Sequence, residues 1–196
     1  MKNSLVYYDV ETTGLDPKTA GIVQISMMFE KNGEVVDVYD SMIDCSKYTR
    51  DVSIAQKALD INGVKLEEIS TFPSPQQVVA EIGAKLMKNY KDNKVKLCGF
   101  NNTSFDKYFL QELYNQTDYD YDIFYHYKQI DVFEALKALQ YLGLMKATWN
   151  QRLVTFIEGY GLDTVDNIEK KAHNSLYDVQ MTRELFYYIK KELKCS

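Results

Sequence analysis

Asp9 and Glu11 stand two positions apart at the end of an apolar run, Leu5 to Tyr8, that reads as a buried strand. Residues two apart on a strand point to the same side of the sheet. Both carboxylates therefore face one way and Val10 faces the other. Two like charges buried side by side are costly unless cations neutralise them. For Asp-x-Glu alone, a strand end with two solvated acids is the simpler alternative. Thr12, Thr13 and Gly14 then turn the chain sharply, and Leu15 follows at the lip. Asp106 falls near the start of an expected helix, where the helix dipole favours an acid whatever its further role. His173 stands five positions before Asp178, just ahead of the last expected helix. An imidazole titrates near neutral pH and can accept a proton, or it can simply cap a helix.

The elements that must position these groups are legible from periodicity and turn residues. A second strand is expected from Gly21 to Phe29. A hairpin turn follows at Lys31-Asn32-Gly33-Glu34, then a third strand from Val35 to Ile43. Strands joined by a tight turn are antiparallel, so the chain opens as a meander. Ser53 to Ile61 is an expected helix closed by Asn62-Gly63, with another helical turn over Leu66 to Ile69. Ser74 caps the next helix, with Pro75 at its first position, and that helix runs to about Asn89. Val95 to Phe100 reads as a short strand, and Asn101-Asn102 turns the chain into a helix from about Thr103 to Asn115. Tyr119 to Asp122 is an expected loop and Phe124 to Ile130 a last strand. Helices are expected over Asp131 to Leu142, Trp149 to Tyr160 and Ser175 to Leu193, with a polar loop over Thr164 to Lys171. A meander followed by alternating strands and helices is an α/β pattern: a mixed five-stranded sheet with helices on both faces. With no repeat and no long linker, residues 1–196 are expected to form a single domain.

Three segments carry a resemblance to a known family. They are Asp9-Val10-Glu11-Thr12-Thr13-Gly14, Asn102-Thr103-Ser104-Phe105-Asp106 and His173-Asn174-Ser175-Leu176-Tyr177-Asp178. In this order the chain resembles the DEDDh (DnaQ-like) 3′–5′ exonucleases. That group includes the proofreading epsilon subunit of bacterial DNA polymerase III, oligoribonuclease and RNase T. The resemblance implies a ribonuclease-H-like fold with the first strand central and the strand near Val95 beside it. It implies that Asp9, Glu11, Asp106 and Asp178 coordinate two divalent ions, Mg²⁺ or Mn²⁺, with Asp9 as the bridge. Both metals prefer oxygen ligands. Two such ions, roughly 3.5–4 Å apart, can serve the attacking and the leaving oxygen of a phosphodiester. His173 takes the role of general base in this family, and the product is a nucleoside 5′-monophosphate. Thr12, Thr13, Leu15, Asn102 and Phe105 become candidates for holding the terminal nucleotide, the threonines through their backbone groups. Epsilon-like members often begin the second segment with His-Asn, where this chain has Asn101-Asn102.

Composition limits the partners. A net charge of −5 argues against a protein that grips nucleic acid mainly through a basic surface. It is compatible with an enzyme whose acids bind cations, because bound ions reverse the local sign. The middle of the chain is lean in basic residues, which favours single-stranded ends over duplex. A nucleic acid with a free single-stranded 3′ end is the expected substrate, and proofreading would need a DNA polymerase supplied in trans. Single-stranded DNA is the first reading. An exoribonuclease of the RNase T or oligoribonuclease type is the second, and an idle binding module on the same fold the third. No apolar run approaches the roughly 18 residues that span a bilayer. The start of the chain shows no signal peptide, and Cys45, Cys98 and Cys195 form no Cys-x-x-Cys pair, so a cytoplasmic location is expected.

Overall fold

The computed structural model describes residues 4–50, 52–91, 93–148, 150, 152–163 and 174–194. β1 (Ser4–Thr12) is the central strand of a five-stranded sheet. β2 (Ile22–Lys31) pairs with it antiparallel along its whole length, and β3 (Glu34–Met42) pairs with β2. Asn32 and Gly33 both adopt positive φ, 57° and 88°, which is the geometry a two-residue hairpin needs. On the other side β4 (Lys96–Gly99) runs parallel to β1, and β5 (Ile130–Asp131) runs parallel to β4. The order is β3-β2-β1-β4-β5, the mixed sheet expected, with the meander first and the parallel pairs after it.

The helices are α1 (Val52–Asn62), α2 (Pro75–Tyr90), α3 (Asp106–Asn115), a single turn α4 (Tyr121–Phe124), α5 (Val132–Tyr141), α6 (Leu153–Gly159) and α7 (Ser175–Glu192). A 3₁₀ turn, Leu66–Thr71, stands where a short helical turn was expected. The parity of β1 assigns the layers. Val6, Tyr8 and Val10 pack with Val78 and Ile82 of α2 and Phe109 and Leu113 of α3. Leu5 and Tyr7 pack on the opposite face with Leu136 of α5, Phe156 of α6 and Leu185 and Ile189 of α7. Asp9 and Glu11 share the parity of Leu5 and Tyr7, so they point toward α7.

Two ties fix α7 against the sheet. Ser175 Oγ lies 2.6 Å from Ser26 Oγ, which donates to Asp40 Oδ1 at 2.7 Å. Two turns on, Arg183 Nε donates to Glu30 Oε2 and the Tyr187 hydroxyl donates to Glu30 Oε1, both at 2.8 Å. Arg183 also donates to the Gly33 carbonyl at 2.9 Å, which locks the helix to the hairpin. Glu30 is buried, and breaking a buried ion pair by removing one partner typically costs about 3–5 kcal/mol.

The strand expected over Phe124–Ile130 shrinks to Ile130–Asp131. Asp120 caps α4 by accepting the Asp122 N–H at 2.8 Å. The rings of Tyr121 and Tyr125 each lie 5.6 Å from that of Tyr114, in an edge-on cluster. Burial of those rings, with a local cap, outweighs the strand preference of an aromatic segment. Tyr125 keeps only a single bridge, to Val95. α3 begins at Asp106 rather than Thr103 because Asn101, at φ 59°, starts a turn that is not yet helical. α6 begins at Leu153, and the expected helical start at Trp149 lies outside the described residues, as does the Thr164–Lys171 loop. Among the described residues no helix is long and apolar enough to cross a membrane.

Candidate active site

β4 pairs with β1 only as far as Tyr7, so β1 runs on past the end of its parallel neighbour. Ligand sites of α/β sheets form at such carboxyl ends. The Val10 N–H, with no partner strand on that side, donates to Asp106 Oδ1 at 3.1 Å. Asp106 is the first residue of α3 and is buried. From the opposite layer, α7 brings Asp178 in its first turn. Asp9, Glu11 and Asp178 each offer a carboxylate oxygen, and these atoms all lie within 4.8 Å of one another. Asp106 stands beside them in the same open cleft, of about 290 Å³.

Burial raises all four acids, and repulsion from the others adds to it at Asp9 and Glu11. Asp9 is held well above the ordinary carboxylate range, first by burial and then by the charges of Asp106, Asp178 and Glu11. Glu11 is pushed up to about 8 by burial, then by Asp178 and Asp106. Burial raises Asp178 to about 7. Burial, with a smaller push from the charge of Asp131, raises Asp106 to about 7, against the pull of N–H bonds from its own backbone and from Val10. An all-oxygen set of crowded carboxylates fits hard divalent cations such as Mg²⁺ or Mn²⁺, whose charge would relieve the repulsion.

A pH dependence follows for the metal-free protein. Between the ordinary carboxylate range, about 4, and about 8, the folded state holds protons on these acids that the unfolded chain has released. Their contribution to stability is therefore largest at the acid end of that window and falls as pH rises through it. The melting temperature in excess chelator is expected to drop from pH 5 to pH 8, and added Mg²⁺ to restore it at pH 8. A flat profile in chelator, with no effect of Mg²⁺, would show that the four acids do not crowd one another.

The expected binding residues divide into three groups. Leu15, 85% exposed, stands free at the lip, and Phe105 lines the cleft with its ring 4.9 Å from Phe109. Thr12 and Thr13 hold the turn. The Thr12 hydroxyl donates to the Gly14 carbonyl at 2.7 Å. The Thr13 N–H donates to the Gly21 carbonyl at 3.0 Å. The Thr13 hydroxyl accepts the Gly21 N–H and lies 2.9 Å from Thr49 Oγ1. Asn102 is placed differently from the lip residues. It is fully buried, its amide meets Gln129 and the Gly99 and Ile130 carbonyls, and it packs so tightly on Gly99 that a Cβ there would come within 2.6 Å of it. Asn102 braces the turn from below.

His173 lies outside the described residues. Asn174 caps α7, its side chain accepting the Tyr177 N–H at 3.1 Å. The cleft also has lining that sequence reasoning missed: Phe100, Asn101 and Phe133. Phe100 stands two positions before the second segment and could have been found from that position. Phe133 comes from the start of α5 and has no sequence relation to the acids.

The geometry defines a carboxylate-lined site at the carboxyl end of the central strand of a mixed α/β sheet, and the comparisons give the family. The chain matches the RNase T exonuclease family over residues 6–186 and belongs to it, a DnaQ-like 3′–5′ exonuclease family. It is 25% identical over 196 residues to the DNA polymerase III PolC-type of Halalkalibacterium halodurans and 22% identical over 192 residues to that of Oceanobacillus iheyensis. Each alignment covers 98% of this chain and 12% of the relative, so the chain spans about an eighth of their length. In fold it is similar to E. coli exonuclease I, solved in complex with a dT13 oligonucleotide, at a TM-score of 0.78 and 17% identity, covering 98% of this chain and 42% of that one.

Proposed function

We propose that residues 1–196 act as one metal-dependent domain that hydrolyses phosphodiester bonds from the 3′ end of single-stranded DNA and releases nucleoside 5′-monophosphates. The observation that carries this reading is the approach of Asp9, Glu11 and Asp178 within 4.8 Å, from β1 and α7, in a cleft shared with Asp106. These four acids would hold two divalent cations, Mg²⁺ or Mn²⁺. When bound, such cations supply positive charge to the attacking and leaving oxygens of a phosphodiester. Phe100, Phe105 and Phe133 give the cleft aromatic walls suited to a terminal base, which stacks without regard to its identity. Leu15 stands where it can wedge against that base. His173 takes the proton of the attacking water. Likeness to an exonuclease I solved with dT13 supports single-stranded DNA. The polymerase relatives support work alongside a DNA polymerase.

The test uses matched 5′-labelled DNA and RNA oligonucleotides with Mg²⁺ or Mn²⁺, with excess chelator, and with a 3′-phosphate. DNA with a free 3′ end should shorten stepwise, while chelator or the 3′ block should stop it. Faster loss of RNA would favour the exoribonuclease reading. No cleavage of either would leave a binding module. Cleavage in excess chelator, or of a closed circle, would overturn the proposal.

A further inference from the structure

Asp131 ends β5 and caps α5, yet its carboxylate reaches beyond that helix. Oδ1 accepts the N–H groups of Phe133 at 3.1 Å and Glu134 at 3.3 Å, as a helix cap should. The same oxygen accepts the Asn101 N–H at 3.0 Å. Oδ2 accepts the Thr103 N–H at 3.1 Å and the Thr103 hydroxyl at 2.7 Å. Three of these donors belong to the turn between β4 and α3. That turn needs an outside hold. Asn101 sits at φ 59°, a left-handed conformation that a residue with a side chain adopts at a cost. The cap residue of α3, Phe105, makes no side-chain bond to the helix. An ionised carboxylate is a stronger acceptor for such N–H groups than a neutral one.

What hangs on this clamp is one wall of the cleft. The turn carries Phe100, Asn101 and Phe105 and leads directly into Asp106, while α5 carries Phe133 to the same cleft. Asp131 itself is not part of the cleft lining. The two segments already meet through the β4–β5 pairing and the Phe100–Phe133 ring contact at 5.2 Å, and the Asp131 carboxylate adds the hold on the Asn101–Thr103 turn that leads to Phe105. We propose that Asp131 is a positioning residue, holding the Asn101–Thr103 turn, and with it Phe105, at a set distance from the Phe100–Phe133 ring pair, whose centroids lie 5.2 Å apart, so that a terminal nucleotide fits between that pair and Phe105. This rests on the exonuclease reading of the cleft.

The discriminating variant is Asp131→Ser. Serine caps a helix about as well as aspartate, but its one hydroxyl cannot also hold Asn101 and Thr103. Asp131→Ser should melt close to the wild type, and the Asn101 and Thr103 amides should lose protection from hydrogen exchange. On a single-stranded DNA oligonucleotide, kcat/KM should fall by roughly 10²-fold, the scale of a 1 Å misplacement, and mostly through KM. Asp131→Ala, which loses the cap as well, should show the same kinetic defect with a lower melting temperature. If Asp131→Ser keeps wild-type KM and kcat, or wild-type amide protection at Asn101 and Thr103, Asp131 is a helix cap only. If the wild type itself releases no nucleotide, the exonuclease reading falls and the positioning role falls with it.

Discussion

Asp9→Asn is expected to lower mononucleotide release from a single-stranded oligonucleotide by at least about 10³-fold, since a cation at the reacting phosphate supplies several kcal/mol and each 1.36 kcal/mol is tenfold. The amide keeps the shape of the side chain and removes its charge. Asp9 sits among Glu11, Asp106 and Asp178, all of which repel it, so the same change should leave the melting temperature in chelator unchanged or slightly higher. The two effects separate a functional acid from a structural one. A variant that melts well below the wild type in chelator would make Asp9 a structural residue. Activity within tenfold of the wild type at saturating Mg²⁺ would remove Asp9 from the chemistry.

His173→Ala is expected to lose roughly 10²–10⁴ in turnover, the usual contribution of a positioned acid or base. Cation affinity should change little, because the carboxylates are the ligands. Stability should also change little, because Asn174 caps α7 and remains in place. The wild-type rate should rise with pH across the imidazole range, since only the neutral ring accepts a proton, and the variant should lose that limb. Turnover near the wild type would take His173 out of the reaction and leave the acids to act without it.

How far these residues could be read before the fold was known depends on the range of the forces that place them. Alternation along β1 predicts that Asp9 and Glu11 share a face, because parity is a local property of a strand. Asn32-Gly33 predicts the hairpin and Ser74-Pro75 the start of α2, again from local backbone preference. The bond from the Val10 N–H to Asp106 has no such signal, since it depends on β4 ending early. Asn102 belongs to a motif that suggests a substrate contact, but its burial against Gly99 is set by packing between β4 and the turn. The short β5 was obscured by the tyrosine cluster around Tyr114, whose contacts span the α3–α4 connection. Phe133 reaches the cleft through contacts with no sequence signal, its ring packing 5.2 Å from that of Phe100, some thirty positions earlier.

The ties that seat α7, Ser175 to Ser26 and Arg183 to Glu30, have a consequence for the order of events during synthesis. Asp178 leaves the ribosome about 170 residues after Asp9. At roughly 5–20 residues per second that is an interval of about ten seconds or more. Once Met42 has followed, the meander can form with Asp9 and Glu11 in place, while the acid that faces them has not yet been made. The last helix thus acts as a built-in delay, and a half-made chain carries an incomplete cluster past every strand around it.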